Sequence, residues 1–280
     1  MFDIKSLFIK QHPDFHHNYP RLTNIVAAAA RWLWKEKTFQ QFAEEHSQHQ
    51  GIELISKGFE YIDFDVNVSE EDLAKIPPQG SLIIVANHPL GYLDGMGLLK
   101  VISRVRARPD VKLVLNGALH NMLGMNELTI PVDNFHGSIS KQSFKGIKQQ
   151  LNNEGALVIF PAGLVSRLTL KGLQDTPWNP SFLRFARQKN TPILPVFIQG
   201  RNSITYYILA ILSLPLAKKV LIIRELLMAK LIREIFSRHS KKRITMNFGQ
   251  VLMPDELDAK YTNMEEKSQA IRDIVYSLKP

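Results

Sequence analysis

A histidine and an aspartate six residues apart, His88 and Asp94, stand in the segment Ser81–Gly97, SLIIVANHPLGYLDGMG. An imidazole takes a proton from a substrate hydroxyl when a carboxylate fixes its tautomer and steadies the imidazolium that forms. His88 is the candidate base, and Asp94 is the nearest carboxylate able to orient it. The chain has no cysteine, and no serine nearby sits in a nucleophile-elbow pattern. The chemistry implied is activation of the substrate's own hydroxyl. The same residues also admit a plain structural reading. In it His88 and Asp94 share a loop hydrogen bond, Asn87 caps the turn, and Gly91 and Gly95 supply positive φ.

A base of this kind needs a scaffold to hold it. Leu82–Ala86 is a short apolar run bounded by turn residues, the mark of a strand in a covered sheet. Ligands of open α/β sheets gather outside the carboxyl ends of such strands, where Asn87 and His88 stand. Further strands are expected at Val111–Leu115, Leu128–Val132, Gly155–Phe160 and Arg243–Val251. Helices are expected at Met96–Val105, Ser140–Asn152 and Asp255–Leu278. This alternation predicts an α/β fold with a mixed, largely parallel sheet flanked by helices. Residues 3–50 read as helical, with Thr23 or Asn24 as a cap. FEYIDFDVNV (59–68) alternates like a strand, and Ser69 is placed to cap the acidic turn after it. The boundary is set near residue 50, between an N-terminal helical element (1–50) and an α/β domain (51–280).

The strand ending at Phe160 leads into FPAGLVSR, residues 160–167. A Pro-x-Gly step at a strand end makes an exposed loop, and Arg167 beside it offers a fork for phosphate or carboxylate. NHPLGYLDG resembles the histidine–aspartate box of the glycerolipid acyltransferases, the lysophosphatidate acyltransferase superfamily, and within it the hemolysin-like branch. FPAGLVSR, about 70 residues later, resembles that family's FPEG-type box, and TPILPV (191–196) resembles its VPIIPV-like strand. The resemblance covers about residues 80–200. Departures are visible. Five residues rather than four separate His88 from Asp94, Ala162 replaces an acidic residue, and Leu164-Val165 replaces a Thr-Arg pair. A Gly-rich box is recognised only in part, at Gly117, Leu123 and Gly124, and Asp133-Asn134 stands where that box would end in Arg.

The resemblance implies an O-acyltransferase of membrane lipid biosynthesis. It would move a fatty acyl group from a thioester, on acyl carrier protein or coenzyme A, to a hydroxyl of a lysolipid. His88 would be the general base and Asp94 its orienting partner. Asn87, Gly91, Phe160, Pro161, Gly163, Ser166, Arg167 and Pro195 would bind substrate, with backbone N–H groups near Gly163 meeting the oxyanion. No metal or cofactor is implied. With Val165 and Asp133 where basic residues are expected, an amino-acid-containing lysolipid of lyso-ornithine or lyso-glycine type is favoured over lysophosphatidate (1-acylglycerol-3-phosphate). The alternative from another class is a non-catalytic, membrane-associated lipid-binding protein with the same fold.

A net charge of +9 and a pI near 9.6 call for an anionic partner. No zinc finger, RNP box or helix-turn-helix is evident, so an anionic membrane surface ranks above nucleic acid. Two stretches fit an interfacial role. Trp32 and Trp34 sit among Arg31, Lys35 and Lys37, and the 16 uncharged residues Asn202–Ala217 precede a basic, apolar run from Lys218 to Arg243. Sixteen residues fall short of the ~20 that span a bilayer. The N-terminus lacks the apolar run of a signal peptide, and the absence of cysteine suits a reducing compartment. The expected location is peripheral, at the cytoplasmic face of a bacterial inner membrane.

Overall fold

Among the described residues seven strands join in one sheet: β1 (Phe64–Asn67), β2 (Leu82–Ala86), β3 (Lys112–Asn116), β4 (Thr129–Val132), β5 (Ala156–Ile159), β8 (Ile193–Gln199) and β9 (Lys242–Phe248). Their order across the sheet is β1-β9-β8-β2-β5-β3-β4. Every neighbouring pair runs parallel except β8 and β9. Two further strands, β6 (Arg167–Thr169) and β7 (Gly172–Gln174), form a separate antiparallel ribbon. The computed structural model describes residues 5–6, 9, 13–33, 35–105, 108–120, 126–132, 140–217 and 242–280.

The chain divides into two compact units: residues 1–49, 57–63 and 202–241, and residues 50–56, 64–201 and 242–280. The second holds the whole sheet. β2 is buried at all five positions, as parallel strands covered on both faces must be. Because β8, β2 and β5 are adjacent and parallel, their carboxyl ends share one edge. Val85 is in register with Ile159 on one side and Pro195 on the other, so His88 and Phe160 emerge next to one another.

The opposite edge is fastened by Arg108, a fully buried guanidinium that donates to the carbonyls of Pro77 (3.1 Å) and Gly80 (2.6 Å) and to Asp110 (2.7 Å). Asp110 in turn accepts the N–H of Ala156, where β5 begins. In the first unit, helices Pro20–Leu33, Glu36–Glu45 and Ile204–Ala217 are the main elements, and the Phe42 ring lies 5.3 Å from that of Tyr61.

Several expectations shift. Residues Gly51–Tyr61 are helical, and strand β1 starts only at Phe64; the buried Ile55, Phe59 and Ile62 follow helical spacing, which overrides the short alternation. The first long helix starts at Pro20, and Thr23 donates to the Tyr19 carbonyl instead of capping. The closing helix is two, Pro254–Lys260 and Met264–Ser277, the second capped by Asn263 accepting the Glu266 N–H. Ser69 caps Glu70–Ala74 as expected. The β6–β7 ribbon and helix Ser181–Gln188 had no sequence expectation. The basic run at 218–241, Trp34, Leu123, Gly124 and Asp133 lie outside the described residues.

Candidate active site

β2 ends at Ala86, and the next residue fixes the strand end. Asn87 accepts the Ile198 N–H (2.6 Å) and donates to the Ile198 carbonyl (2.9 Å), so its amide extends the β2–β8 pairing by one step. His88 follows, its side chain 17% exposed. The turn His88–Gly91 then delivers the chain into helix Tyr92–Lys100, four residues earlier than the expected start. Gly91 sits at φ 79°, a conformation that favours glycine, and precedes the first helical turn. Asp94 is the third residue of that helix.

This placement explains the spacing. Asp94 is fully buried, and its Oδ2 accepts the N–H groups of Leu90 (2.8 Å) and Gly91 (3.0 Å) and meets His88 Nδ1 at 3.0 Å. Oδ1 is buried and finds no hydrogen-bond partner among the described residues. Burial therefore pushes the Asp94 carboxyl above its ordinary value, while the His88 contact and the two N–H bonds pull it back. With two backbone N–H groups already on Oδ2, an ionised Asp94 facing His88 Nδ1 favours the tautomer that carries its proton on Nδ1. The Phe160 ring stacks on the imidazole at 4.0 Å between centroids and 21° between planes.

Gly95 differs from its expected role. It lies within the helix, and a Cβ there would come 2.6 Å from Leu113 Cδ2 and 3.5 Å from Phe160. Its value is the close approach of the helix to Leu113 of β3.

The second loop is clamped onto the first. Gly163 donates to the Phe160 carbonyl (3.0 Å), closing a tight turn, and the buried Pro161 accepts the Asn179 N–H through its carbonyl (3.0 Å). Ser166 donates its N–H to the His88 carbonyl (2.8 Å) and its hydroxyl to Asp175 Oδ1 (2.5 Å). Arg167 donates to the Val165 carbonyl (2.6 Å). His88, Phe160, Gly163, Ser166 and Asp94 thus gather in one region, whereas Pro195 is buried within β8 beside Val85.

Asp175 was not anticipated from the sequence. Its Oδ1 also accepts the His88 N–H (3.2 Å), and its Oδ2 accepts Trp178 Nε1 (2.9 Å). Its own N–H donates to Tyr276 Oη (2.7 Å), and Arg272 donates to its carbonyl (3.1 Å). Both backbone polar groups of His88 are therefore held by the Ser166–Asp175 pair. The only sequence signal was a carboxylate in a Pro-flanked turn, DTPW, shortly after the second box.

A base–carboxylate pair at the end of a parallel strand, under an aromatic ring and beside a Pro-x-Gly loop, is suited to deprotonating a hydroxyl. Residues 23–280 match the family described as Acyltransferase. The chain belongs to the acyltransferase family. A lyso-glycine lipid O-acyltransferase of Bacteroides thetaiotaomicron is 28% identical over 279 residues, covering 99% of this chain and 97% of that protein. A protein of the same name from Phocaeicola vulgatus is 25% identical over 260 residues, covering 93% and 90%. The crystal structure of the 1-acyl-sn-glycerophosphate (LPA) acyltransferase PlsC from Thermotoga maritima aligns with a TM-score of 0.49 at 14% identity, over 99% of this chain and 93% of that one. That last likeness is too distant to carry an argument.

Membership of the acyltransferase family spans both loops, the β6–β7 ribbon and Asp175 alike. Among the described residues no helix of this acyltransferase is long and apolar enough to cross a membrane.

Proposed function

We propose that this acyltransferase moves a fatty acyl group from a thioester, on acyl carrier protein or coenzyme A, to the hydroxyl of a lysolipid. The observation that carries this reading is the His88–Asp94 pair, with Nδ1 turned to a buried carboxylate, an arrangement that leaves Nε2 to take the acceptor's proton in this reading. The acceptor hydroxyl gives its proton to His88 Nε2 as its oxygen attacks the thioester carbonyl carbon. Asp94 steadies the imidazolium. The tetrahedral oxyanion then collapses, the C–S bond breaks, and the leaving thiolate takes the proton back from Nε2. An ester and a free thiol result. Because the Gly163 N–H is engaged by Phe160, the oxyanion donors in this reading are the N–H groups that follow it, those of Leu164 and Val165.

The acceptor is an amino-acid-containing lysolipid of lyso-glycine or lyso-ornithine type. Val165 and Asp133 remove basic groups from positions where a phosphomonoester reader would want them, and the names of the two relatives point the same way. Arg167 supplies the fork for a headgroup carboxylate.

The enzyme works peripherally on an anionic membrane, at its cytoplasmic face. Support comes from apolar residues left exposed at helical spacing: Leu22, Ile25 and Trp32 on one helix, and Ile204, Ile208 and Ile211 on another. The test offers lyso-glycine lipid and lysophosphatidate with one acyl thioester and compares kcat/KM. A higher value for the lyso-glycine lipid is expected. Preference for lysophosphatidate, lost on replacing Arg167, would return the acceptor to a plain phospholipid precursor.

A further inference from the structure

We propose that the β6–β7 ribbon is a lipid-docking arm whose leucine face enters an anionic membrane surface while its base grips the backbone of His88. The inference rests on the lysolipid reading only for its purpose, since a bilayer-held acceptor must be brought to His88.

Register defines the arm's two faces. Leu168 pairs with Leu173, Arg167 with Gln174, and Thr169 with Gly172. Directly opposed residues of an antiparallel pair share a face, and neighbours along a strand alternate. One face therefore carries Leu168 and Leu173, and the other carries Arg167, Thr169 and Gln174. Leu170 and Lys171 form the tip. Leu170 is fully exposed, Leu168 and the preceding Leu164 are a little under half exposed, and Leu173 is partly buried. A two-stranded ribbon this short is marginal in water on its own. Exposing Leu168 and Leu170 on it, with Leu164 just before, is unexpected for a surface that meets only water.

The base of the same arm is unusually well held. Ser166 and Asp175 flank the ribbon, and they bond each other as well as both backbone groups of His88. An arm seated in lipid at its tip is thus fixed at its root against the catalytic turn. The occupant is a lipid surface rather than an acidic or apolar protein because charge and apolarity coincide at one point. From Leu164 to Gln174 the only charged residues are Arg167 and Lys171, both basic. A leucine beside a lysine at a tip inserts its side chain while the ammonium stays with the headgroups.

The chain has no cysteine, so Leu170→Cys in the full-length protein creates a unique labelling site. The probe is an environment-sensitive fluorophore on that thiol, read with phosphatidylcholine vesicles with and without phosphatidylglycerol. With anionic vesicles the emission should rise, shift to the blue and be quenched by lipids carrying a nitroxide in the acyl chain. The same label on Thr169→Cys, from the opposite face, should respond less. The double variant Leu168→Ser/Leu170→Ser should weaken vesicle partitioning by roughly tenfold. It should leave transfer to an acceptor dispersed below its micelle concentration unchanged. That dispersed assay reads the proposed chemistry without any membrane, so loss of the chemistry and loss of the arm's role are told apart. A label at 170 that stays silent while the protein sediments with vesicles overturns the proposal, as does a protein that does not sediment at all. A response to acylated carrier protein without vesicles overturns it in favour of a protein partner.

Discussion

Asp94 receives His88 through the same oxygen that receives the chain. Oδ2 lies 3.0 Å from His88 Nδ1 and accepts the N–H groups of Leu90 and Gly91 at 2.8 and 3.0 Å. An amide at this position must keep its oxygen there, because two backbone donors point at it. Asp94→Asn therefore preserves the His88 tautomer and loses only the negative charge that steadies the imidazolium. The expected fall in kcat is smaller than the ~10⁴-fold seen where an amide turns its NH₂ to the histidine. A loss as large as that, measured on the folded variant, would show that the tautomer had flipped.

The same carboxyl sets a pH dependence of stability. Burial raises its pKa in the folded state, so the folded chain holds this proton more tightly than the unfolded chain does. The contribution of Asp94 to stability is therefore most favourable at low pH and turns unfavourable as pH rises above the ordinary carboxylate value of about 4. Asp94→Asn cannot ionise. Its Tm relative to wild type should move in the variant's favour as pH is raised from about 4 to neutrality, read by thermal melts across that range. A gap that moves the other way would mean that the bonds to Oδ2 outweigh desolvation.

Asp175 should affect rate as well as fold. Replacing it with Asn puts an NH₂ opposite either the Trp178 indole or the His88 and Ser166 donors. Leaving a buried donor unpaired costs about 1–3 kcal/mol, measurable in urea unfolding. Because the His88 backbone is released, kcat should fall more than KM rises. Reduced stability with unchanged kcat would make Asp175 a structural residue only.

Much of this arrangement was legible in the residues, and the limits have physical causes. The β2 strand and its His88 terminus were plain because a five-residue apolar run between turn residues has few other readings. Phe160 and Gly163 were found through a loop pattern, but the meeting of Phe160 with His88 required the parallel pairing of β2 with β5, which is non-local. Asp175 was missed for the same reason, since it lies 87 positions from His88. The bonds of the Asn87 amide to the Ile198 backbone, 111 residues away, were likewise beyond local reading. The strand expected at 59–61 failed because helical spacing of buried residues won over a brief alternation.

Gly95 offers a packing test. A methyl at this helical position gains about 0.5–1 kcal/mol of backbone stability over glycine. It also meets Leu113 Cδ2 at 2.6 Å, and overpacking of this kind costs about 1–3 kcal/mol. The second effect should win, so Gly95→Ala lowers Tm. Adding Leu113→Val, which removes the clashing Cδ2, should recover part of the loss in a double-mutant cycle. Additive losses would show that Leu113 is not the obstacle.

The most direct measurement of the central claim is single-turnover transfer of a radiolabelled acyl group from thioester to lysolipid by His88→Ala, with its fold confirmed by circular dichroism and its melting temperature. Loss of the general base should slow the chemical step by about 10²–10⁴-fold while the thioester still binds. Transfer by the folded variant at the wild-type rate would contradict the account.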